Sequence, residues 1–231
     1  MPEILLRPSD QTSRIADALA DIVGGGVLTA ATANDEFLAA LEAPDVVLGV
    51  LAFDDTAWEI VERSPKPIVL VPTGVRANEH PGRIARVLVP LDGTEESAHA
   101  VAQTVRLFRS AGIEIVVLHV FDRSTVPPHW DQAAHARAAW ECEFRARWCT
   151  PYFDGSPPPT VTLRSGAPGE NVVTVAEAEA DLIILGWSRR LLPGRAQTVR
   201  AAVSGASVPV MLIPTAPCTS GDAITRRDGQ P

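Results

Sequence analysis

The chain has 231 residues, of which 46% are hydrophobic, and it carries a formal net charge of −8. This apolar content is enough for buried cores and excludes a largely disordered chain. The acidic balance argues against a protein that follows nucleic-acid phosphates, because such a surface needs an excess of lysine and arginine. No apolar run approaches the roughly 18 residues of a membrane-spanning helix, and the N-terminal residues MPEILLRPSD lack the features of a signal peptide. We therefore expect a cytoplasmic protein with neither a nucleic-acid nor a membrane partner.

Three apolar segments stand out in the first 75 residues. Residues 4–10 (ILLRPSD) and 67–73 (PIVLVPT) each contain one short aliphatic run, and residues 27–48 contain two such runs around a helical pattern. Short, nearly continuous apolar runs are typical of strands that are buried on both faces of a parallel sheet. The polar, turn-rich residues 74–82 are predicted to form a linker.

Five further apolar runs mark the second half of the chain, and helical patterns separate them. In the first of these patterns apolar residues recur at spacings of three and four behind Thr94, a candidate N-cap. Strands that alternate with helices predict right-handed crossovers and a parallel sheet, so the predicted fold class is α/β. Residues 217–231 contain few large apolar side chains and are predicted to form a disordered tail. The five runs are residues 86–90, 113–120, 161–164, 181–186 and 209–214.

The first half of the chain repeats the plan of the second. Three matches in the same order predict two tandem domains, residues 1–75 and 83–216. The jump between the first two offsets indicates that the first copy lacks the second strand and the long helix after it. Residues 4–10 match 86–92 at an offset of 82, residues 27–48 match 163–184 at 136, and residues 67–73 match 209–215 at 142.

Four segments of the second half resemble the universal stress protein family: VLVPLDGTEES, IVVLHVFD, ADLIILG and VPVMLIP. The resemblance covers residues 83–215 as a nearly complete domain and residues 2–73 as a truncated one. It implies two tandem open parallel-sheet domains of the adenine nucleotide alpha hydrolase-like, Rossmann-like type, the second five-stranded with strand order 3-2-1-4-5. Family members commonly dimerise through the fifth strand. The resemblance therefore implies a homodimer, or an intramolecular pseudo-dimer between residues 67–72 and 209–214.

The resemblance also places a candidate nucleotide site in the second copy. In ATP-binding members the adenosine lies at the carboxyl ends of the first and second strands, where open sheets of this kind bind ligands. The corresponding contacts in this sequence are Pro90, Leu91, Asp92 and Val120. The carboxylate of Asp92 could accept hydrogen bonds from ribose hydroxyls, or from loop amides such as that of Thr94.

The first copy offers a poorer site. Asp10 matches Asp92, but no second strand lies beside it to form a wall, and we interpret it as a turn residue. Gly49 is followed by VLAFDD, which puts acidic residues where a phosphate would lie. We therefore expect the first copy to bind no nucleotide.

The phosphate loop of the second copy departs from the family pattern. That pattern has a glycine after the fourth strand, another three residues later, and a Gly-Ser or Gly-Thr pair that opens a helix, so that backbone N–H groups approach the phosphates. Gly186 fills the first position and Arg189 stands at the second, while Ala196 and Gln197 replace the pair. Gly194 and Thr198 could still frame a helix start, and Arg189, Arg190 and Arg195 could neutralise an anion. The candidate nucleotide-binding residues are Pro90, Leu91, Asp92, Val120, Gly186, Gly194 and Thr198.

No catalytic residue or metal site is predicted. Cys142 and Cys149 are too far apart on a helix to form a disulfide, and their spacing to His129 and His135 matches no closed zinc site.

An aromatic stripe in one predicted helix and the single residue Trp187 each have two interpretations. The stripe of Trp140, Phe144 and Trp148 is typical of a core face that covers the sheet, with a partner surface as the alternative. Trp187 could fill space beside the pocket or stack on a ligand.

These observations favour a non-enzymatic stress-response protein that does not bind ATP tightly and uses no cofactor. It would act through an unknown protein partner or a small ligand. The alternative is a regulatory switch that binds ATP or AMP in the second domain with little or no hydrolysis. A nucleotide-activating enzyme would need a glycine- or serine-rich loop after the first strand, and GTEES is a poor version of one.

Overall fold

The computed structural model describes residues 1–30, 33–73, 83–121, 134–153, 155, 157–188 and 195–215. The predicted linker at 74–82 and the predicted tail at 217–231 lie outside these residues. The strands are β1 (Glu3–Leu6), β2 (Gly26–Thr29), β3 (Val46–Ala52), β4 (Ile68–Val71), β5 (Arg86–Pro90), β6 (Glu114–Phe121), β7 (Thr160–Ser165), β8 (Leu182–Trp187) and β9 (Val210–Pro214). The helices are α1 (Asp10–Val23), α2 (Asn34–Leu41), α3 (Ala57–Arg63), α4 (Glu95–Ser110), α5 (Ala134–Phe144), α6 (Pro168–Glu179) and α7 (Arg195–Gly205). A π-helix, Arg145–Cys149, continues α5.

The described strands form one sheet in the order β2-β1-β3-β4-β9-β8-β5-β6-β7. The predicted α/β class with an open, largely parallel sheet is confirmed. In the second half the order β7-β6-β5-β8-β9 places the third, second, first, fourth and fifth strands of that half side by side. In the first half β2 lies directly beside β1, so no further described strand separates them.

The two halves meet at an antiparallel pair formed by β4 and β9. Val69 faces Met211 at the centre of this pair, while Ile68 faces Leu212 and Leu70 faces Val210. The register is therefore symmetric about the central pair, as in a two-fold interface between equivalent strands. All other strand pairs in the described sheet are parallel.

Helices cover both faces of the sheet. The core on one face contains the apolar sides of α1, α4 and α5, and the core on the other contains those of α2, α3, α6 and α7. The helix starts follow from the sequence: the side chain of Ser9 caps α1, and that of Thr94 caps α4 ahead of two glutamates in the first turn. None of the described helices is long and apolar enough to cross a bilayer.

The first match between the halves is out of register in the sequence comparison. The offset of 82 places Leu5 opposite Val87, but Leu5 packs in the same core as Leu88, whereas Val87 packs on the other face of the sheet. A shift of one residue exchanges the two faces of a strand. The structural counterpart of Leu5 is therefore Leu88.

The interpretation of Asp10 as a turn residue is wrong. Asp10 is the first residue of α1, directly behind the N-cap Ser9. Asp92 instead lies two residues before the N-cap Thr94. The loop after the first strand is shorter in the first half, so Asp10 and Asp92 hold different positions.

The close contact between α6 and α7 requires a glycine. A Cβ atom at Gly169 would lie only 2.5 Å from the Cβ of Ala201. We expect Gly169→Ala to lower the free energy of unfolding by about 1–3 kcal/mol through overpacking, against a gain in helix propensity of up to about 1 kcal/mol. Urea denaturation followed by circular dichroism measures the difference. Gly26→Ala is the control, since its Cβ would meet nothing within 4 Å, and equal stability of both variants would contradict the prediction.

Candidate functional site

A cavity of about 900 Å³ lies at the carboxyl ends of β5, β6 and β8. Its walls come from the β5–α4 loop, α5 with the π-helix, and the first turns of α6 and α7. The helices that follow β5 and β8 lie on opposite faces of the sheet. A crevice opens at such a point in a parallel sheet, and ligands of open α/β folds bind there.

Most of the candidate nucleotide-binding residues lie around this one cavity. Pro90, Leu91, Asp92, Val120, Gly186 and Thr198 line it, and Gly194 lies outside the described residues. The loop after β5 is held to β6 by a hydrogen bond from the backbone N–H of Leu91 to the carbonyl of Leu118, at 2.9 Å. The structure thus brings together the ends of β5 and β6, as the hypothesis of a nucleotide site requires.

Asp92 is bonded within its own loop. Its Oδ1 accepts hydrogen bonds from the backbone N–H of Thr94 at 3.1 Å and from the Thr94 hydroxyl at 2.7 Å. Thr94 in turn caps α4 by accepting from the backbone N–H of Ser97 at 3.3 Å. The sequence leaves two interpretations of Asp92, hydrogen bonds from ribose hydroxyls or from loop amides. The contacts of Oδ1 in the structure are those of the second.

His119 is a cavity residue that the sequence analysis missed. It is 9% exposed, and its Nδ1 donates to the carbonyl of Leu91 at 2.9 Å. Its ring lies 4.7 Å from Phe121 at 88° and 4.6 Å from Phe144 at 31°. His119 stands inside the apolar run IVVLHVFD. In a strand that is buried on both faces, the sequence does not distinguish a residue that faces a cavity from one that faces the core.

An aromatic wall faces the cavity from α5 and the π-helix. Phe144 is buried in the core, as the core interpretation of the stripe requires. Trp140 and Trp148 are only partly buried and line the cavity together with Phe144. The guanidinium carbon of Arg147 lies 4.7 Å from the ring centroid of Trp148. The stripe is therefore both a core face and a cavity wall.

The phosphate side of the cavity is formed by the end of β8 and the start of α7. Gly186 lies inside β8, one residue before its end, and Thr198 lies in the first turn of α7. This helix begins at Arg195, which in the sequence lies between Gly194 and Thr198. Ala196, at the position of the family's glycine, is buried in the core. Residues 189–194, which include Arg189, Arg190 and Gly194, lie outside the described part of the chain.

Trp187 joins the cavity to the first half of the chain. It is 2% exposed, and its ring lies 5.9 Å from that of Trp58, on α3. The guanidinium carbon of Arg200 lies 5.9 Å from the ring centroid of Trp58. Trp187 thus fills space between the two halves, and its indole Nε1 is buried without a hydrogen-bond partner among the described residues.

The described lining of the cavity carries more negative than positive side chains. Asp92, Glu143 and Glu170 contribute carboxylates, and Arg147 contributes the one guanidinium of the described lining residues. Glu170 lies in the first turn of α6, where a carboxylate already complements the positive end of the helix dipole.

A smaller cavity of about 600 Å³ lies between the carboxyl ends of β3 and β4 in the first half and the C-terminal end of α7 in the second. Asp54 and Asp55 line it. The Oδ1 of Asp54 accepts from the backbone N–H and the hydroxyl of Thr56, both at 2.8 Å, which repeats the loop pattern of Asp92 and Thr94. These are the acidic residues that the sequence analysis placed at the phosphate position.

The described cysteines are free thiols in different surroundings, Cys142 exposed and Cys149 buried. No group of three or more histidine, cysteine, aspartate or glutamate side chains in the described part of the chain could hold a metal ion.

Burial raises the pKa of the Cys149 thiol from 9.0 to about 12, with Arg145 acting in the opposite direction. Above pH 9 the thiol of the unfolded chain ionises first, so the unfolded state binds fewer protons than the folded state. The free energy of unfolding is then expected to fall by up to about 1.4 kcal/mol per pH unit. Urea denaturation at pH 8, 9 and 10 measures the slope. Cys149→Ala should show a smaller slope, and identical slopes would contradict the prediction.

Comparison with known proteins agrees with this fold. The family model described as the universal stress protein family matches residues 83–214, and a search of curated proteins finds no match. A protein of Pseudomonas aeruginosa UCBPP-PA14 that is assigned to the universal stress proteins is 15% identical, with 92% of this chain and 82% of that chain covered at a TM-score of 0.58. A universal stress protein from Archaeoglobus fulgidus DSM 4304 is 14% identical, with 93% of this chain and 86% of that chain covered at a TM-score of 0.55. At such identities the solved structures show the fold alone. Since the family model covers more than half of the sequence, the chain belongs to the universal stress protein family.

Proposed function

We propose that this chain is a non-enzymatic stress-response protein that does not bind ATP tightly and acts through a small ligand or a partner protein. The observation that carries the proposal is a cavity of about 900 Å³ at the switch point of the sheet, on whose phosphate side the chain keeps the family's first glycine as Gly186 and has Arg189 and Ala196 where the next two stand. A ligand site is thus retained while the means of holding a triphosphate is altered.

Three features of the cavity support weak ATP binding. Asp92 uses Oδ1 within its own loop rather than offering it to a ribose. The described walls carry more carboxylates than guanidinium groups, which disfavours a ligand with several negative charges. Ala196 occupies the core where the family has a glycine that lets the backbone approach a phosphate.

We further propose that the chain is a tandem of two copies of one unit, the first without the second strand and its helix. The symmetric register of β4 and β9 supports this. That pair would replace the contact by which two separate chains of the family associate, so a second chain is not needed to cover β9. The free thiols of Cys142 and Cys149 fit a reducing compartment, and we place the protein in the cytoplasm.

Calorimetric titration of the purified full chain with ATP and with AMP tests the first proposal. We expect no saturable heat in the micromolar range. A micromolar dissociation constant for ATP would overturn it.

The alternative is a regulatory switch that binds ATP or AMP without appreciable hydrolysis. The observation that favours it is the convergence of Pro90, Leu91, Asp92, Val120, Gly186 and Thr198 on one cavity. If ATP does bind, Asp92→Ala should weaken it. An unchanged affinity would exclude this pocket as the binding site.

A further inference from the structure

We propose that the cavity at the ends of β5, β6 and β8 binds a planar, fused-ring aromatic molecule without negative charge, stacked against the wall formed by Trp140 and Trp148. This inference deepens the proposed function, on which it rests in one respect: the site is one for a small ligand other than a tightly bound nucleotide.

The first argument is the ring surface that the cavity offers. Phe121 and Trp140 stand edge to face with centroids 6.3 Å apart, and His119 connects Phe121 to Phe144. These rings form one cluster whose inner members are buried and whose tryptophans reach the cavity. Flat ring systems stack favourably on such side chains, and stacking does not require a particular pattern of hydrogen bonds.

The second argument is the position of Trp148 in the π-helix. The backbone N–H of Thr150 donates to the carbonyl of Arg145, five residues earlier, at 2.9 Å. Cys149, five residues after Phe144, is buried in the core, and Trp148 is half-buried and lines the cavity beside Phe144 and Trp140. Turns of this kind occur frequently at functional sites.

The third argument is charge. The exposed carboxylates of Asp92, Glu143 and Glu170 line the cavity, and the guanidinium of Arg147 is stacked on Trp148. A neutral or cationic ring system suits these walls better than an anion does. In the sequence Arg189 and Arg190 follow the cavity residue Ser188, so the test includes an anionic probe.

The fourth argument is size. The volume of about 900 Å³ lies within the range of roughly 300–1,000 Å³ that is usual for small-molecule sites. It leaves room for a system of two or three fused rings with substituents.

The test is fluorescence titration of the full chain with three matched tricyclic probes: neutral acridine, cationic proflavine and anionic acridine-9-carboxylate. We expect saturable one-to-one binding of acridine and proflavine, and affinity for the carboxylate that is lower by about tenfold or more. Equal or tighter binding of the carboxylate would overturn the charge argument, and no saturable binding of any probe would overturn the whole inference.

Variants locate the bound probe. Trp148→Ala is expected to weaken acridine binding by about tenfold, while Trp148→Phe, which keeps an aromatic face, should retain most of the affinity. Urea denaturation of both variants establishes that they are folded. Equal affinity of the alanine variant and the original chain would overturn the site assignment.

ATP calorimetry on the same preparation separates the two proposals. Saturable acridine binding together with micromolar ATP binding would overturn the proposed function and the restriction to ligands without negative charge, and would leave only the stacking on Trp140 and Trp148 standing. Absence of both would overturn the inference alone.

Discussion

Replacing Val69 by aspartate is expected to lower the free energy of unfolding by more than about 3 kcal/mol. Val69 is 0% exposed and faces Met211 at the centre of the β4–β9 pair. Neighbours in this pair are aliphatic, so a carboxylate there would be buried without a partner. Urea denaturation of the purified variant, followed by circular dichroism, measures the effect. We also expect less soluble protein, because the pair joins the two halves of the sheet.

Val47→Asp is the matched control for Val69→Asp. Val47 lies on β3 of the same half and is 37% exposed, so a carboxylate there stays in contact with water. Its effect is expected to remain within about 0.5 kcal/mol. Unfolding of both variants at the same urea concentration would show that the seam between the halves has no special importance.

Replacing Trp187 by alanine is expected to cost about 3–5 kcal/mol of stability. The side chain is almost completely buried and contacts Trp58 across the boundary between the halves. Alanine would leave a large void that the surrounding β8, α3 and α7 could fill only in part. The shift of the urea midpoint measures the loss.

Trp187→Phe separates the volume of the indole from its N–H group. Phenylalanine keeps part of the packing and removes a donor that has no partner among the described residues. We expect a loss of only about 1 kcal/mol, because removing an unpaired buried donor offsets part of the packing loss. If Trp187→Phe and Trp187→Ala lower the free energy of unfolding by the same amount, packing of the six-membered ring contributes nothing and the prediction is wrong.

The elements of this fold could be predicted from sequence more readily than their register. Strands buried on both faces show no alternation of apolar and polar residues. The runs that contain Leu5 and Leu88 therefore match almost equally well when they are shifted by one residue. Only the packing on the two faces of the sheet distinguishes the two matches.

The end of β5 and the end of β6 were predictable parts of the site, since ligand sites follow from the order of parallel strands. The aromatic wall was only partly predictable. A helical stripe predicts a buried face, and it was buried at Phe144. The π-turn that precedes Thr150 has no simple sequence signature, whereas the start of α7 at Arg195 lies between Gly194 and Thr198, the two residues that the sequence interpretation placed around it.

Because β4 pairs antiparallel with β9, the parallel strands of the two halves run in opposite directions. The carboxyl ends of the first-half strands point to one margin of the sheet, and those of the second-half strands point to the other. The cavity with Asp54 and the cavity with Asp92 therefore lie at opposite margins. Trp187 of one cavity and Trp58 of the other nevertheless lie 5.9 Å apart. We therefore expect sequence covariation between Val69 and Met211 and between Trp58 and Trp187, while the other residues of the two cavities vary separately.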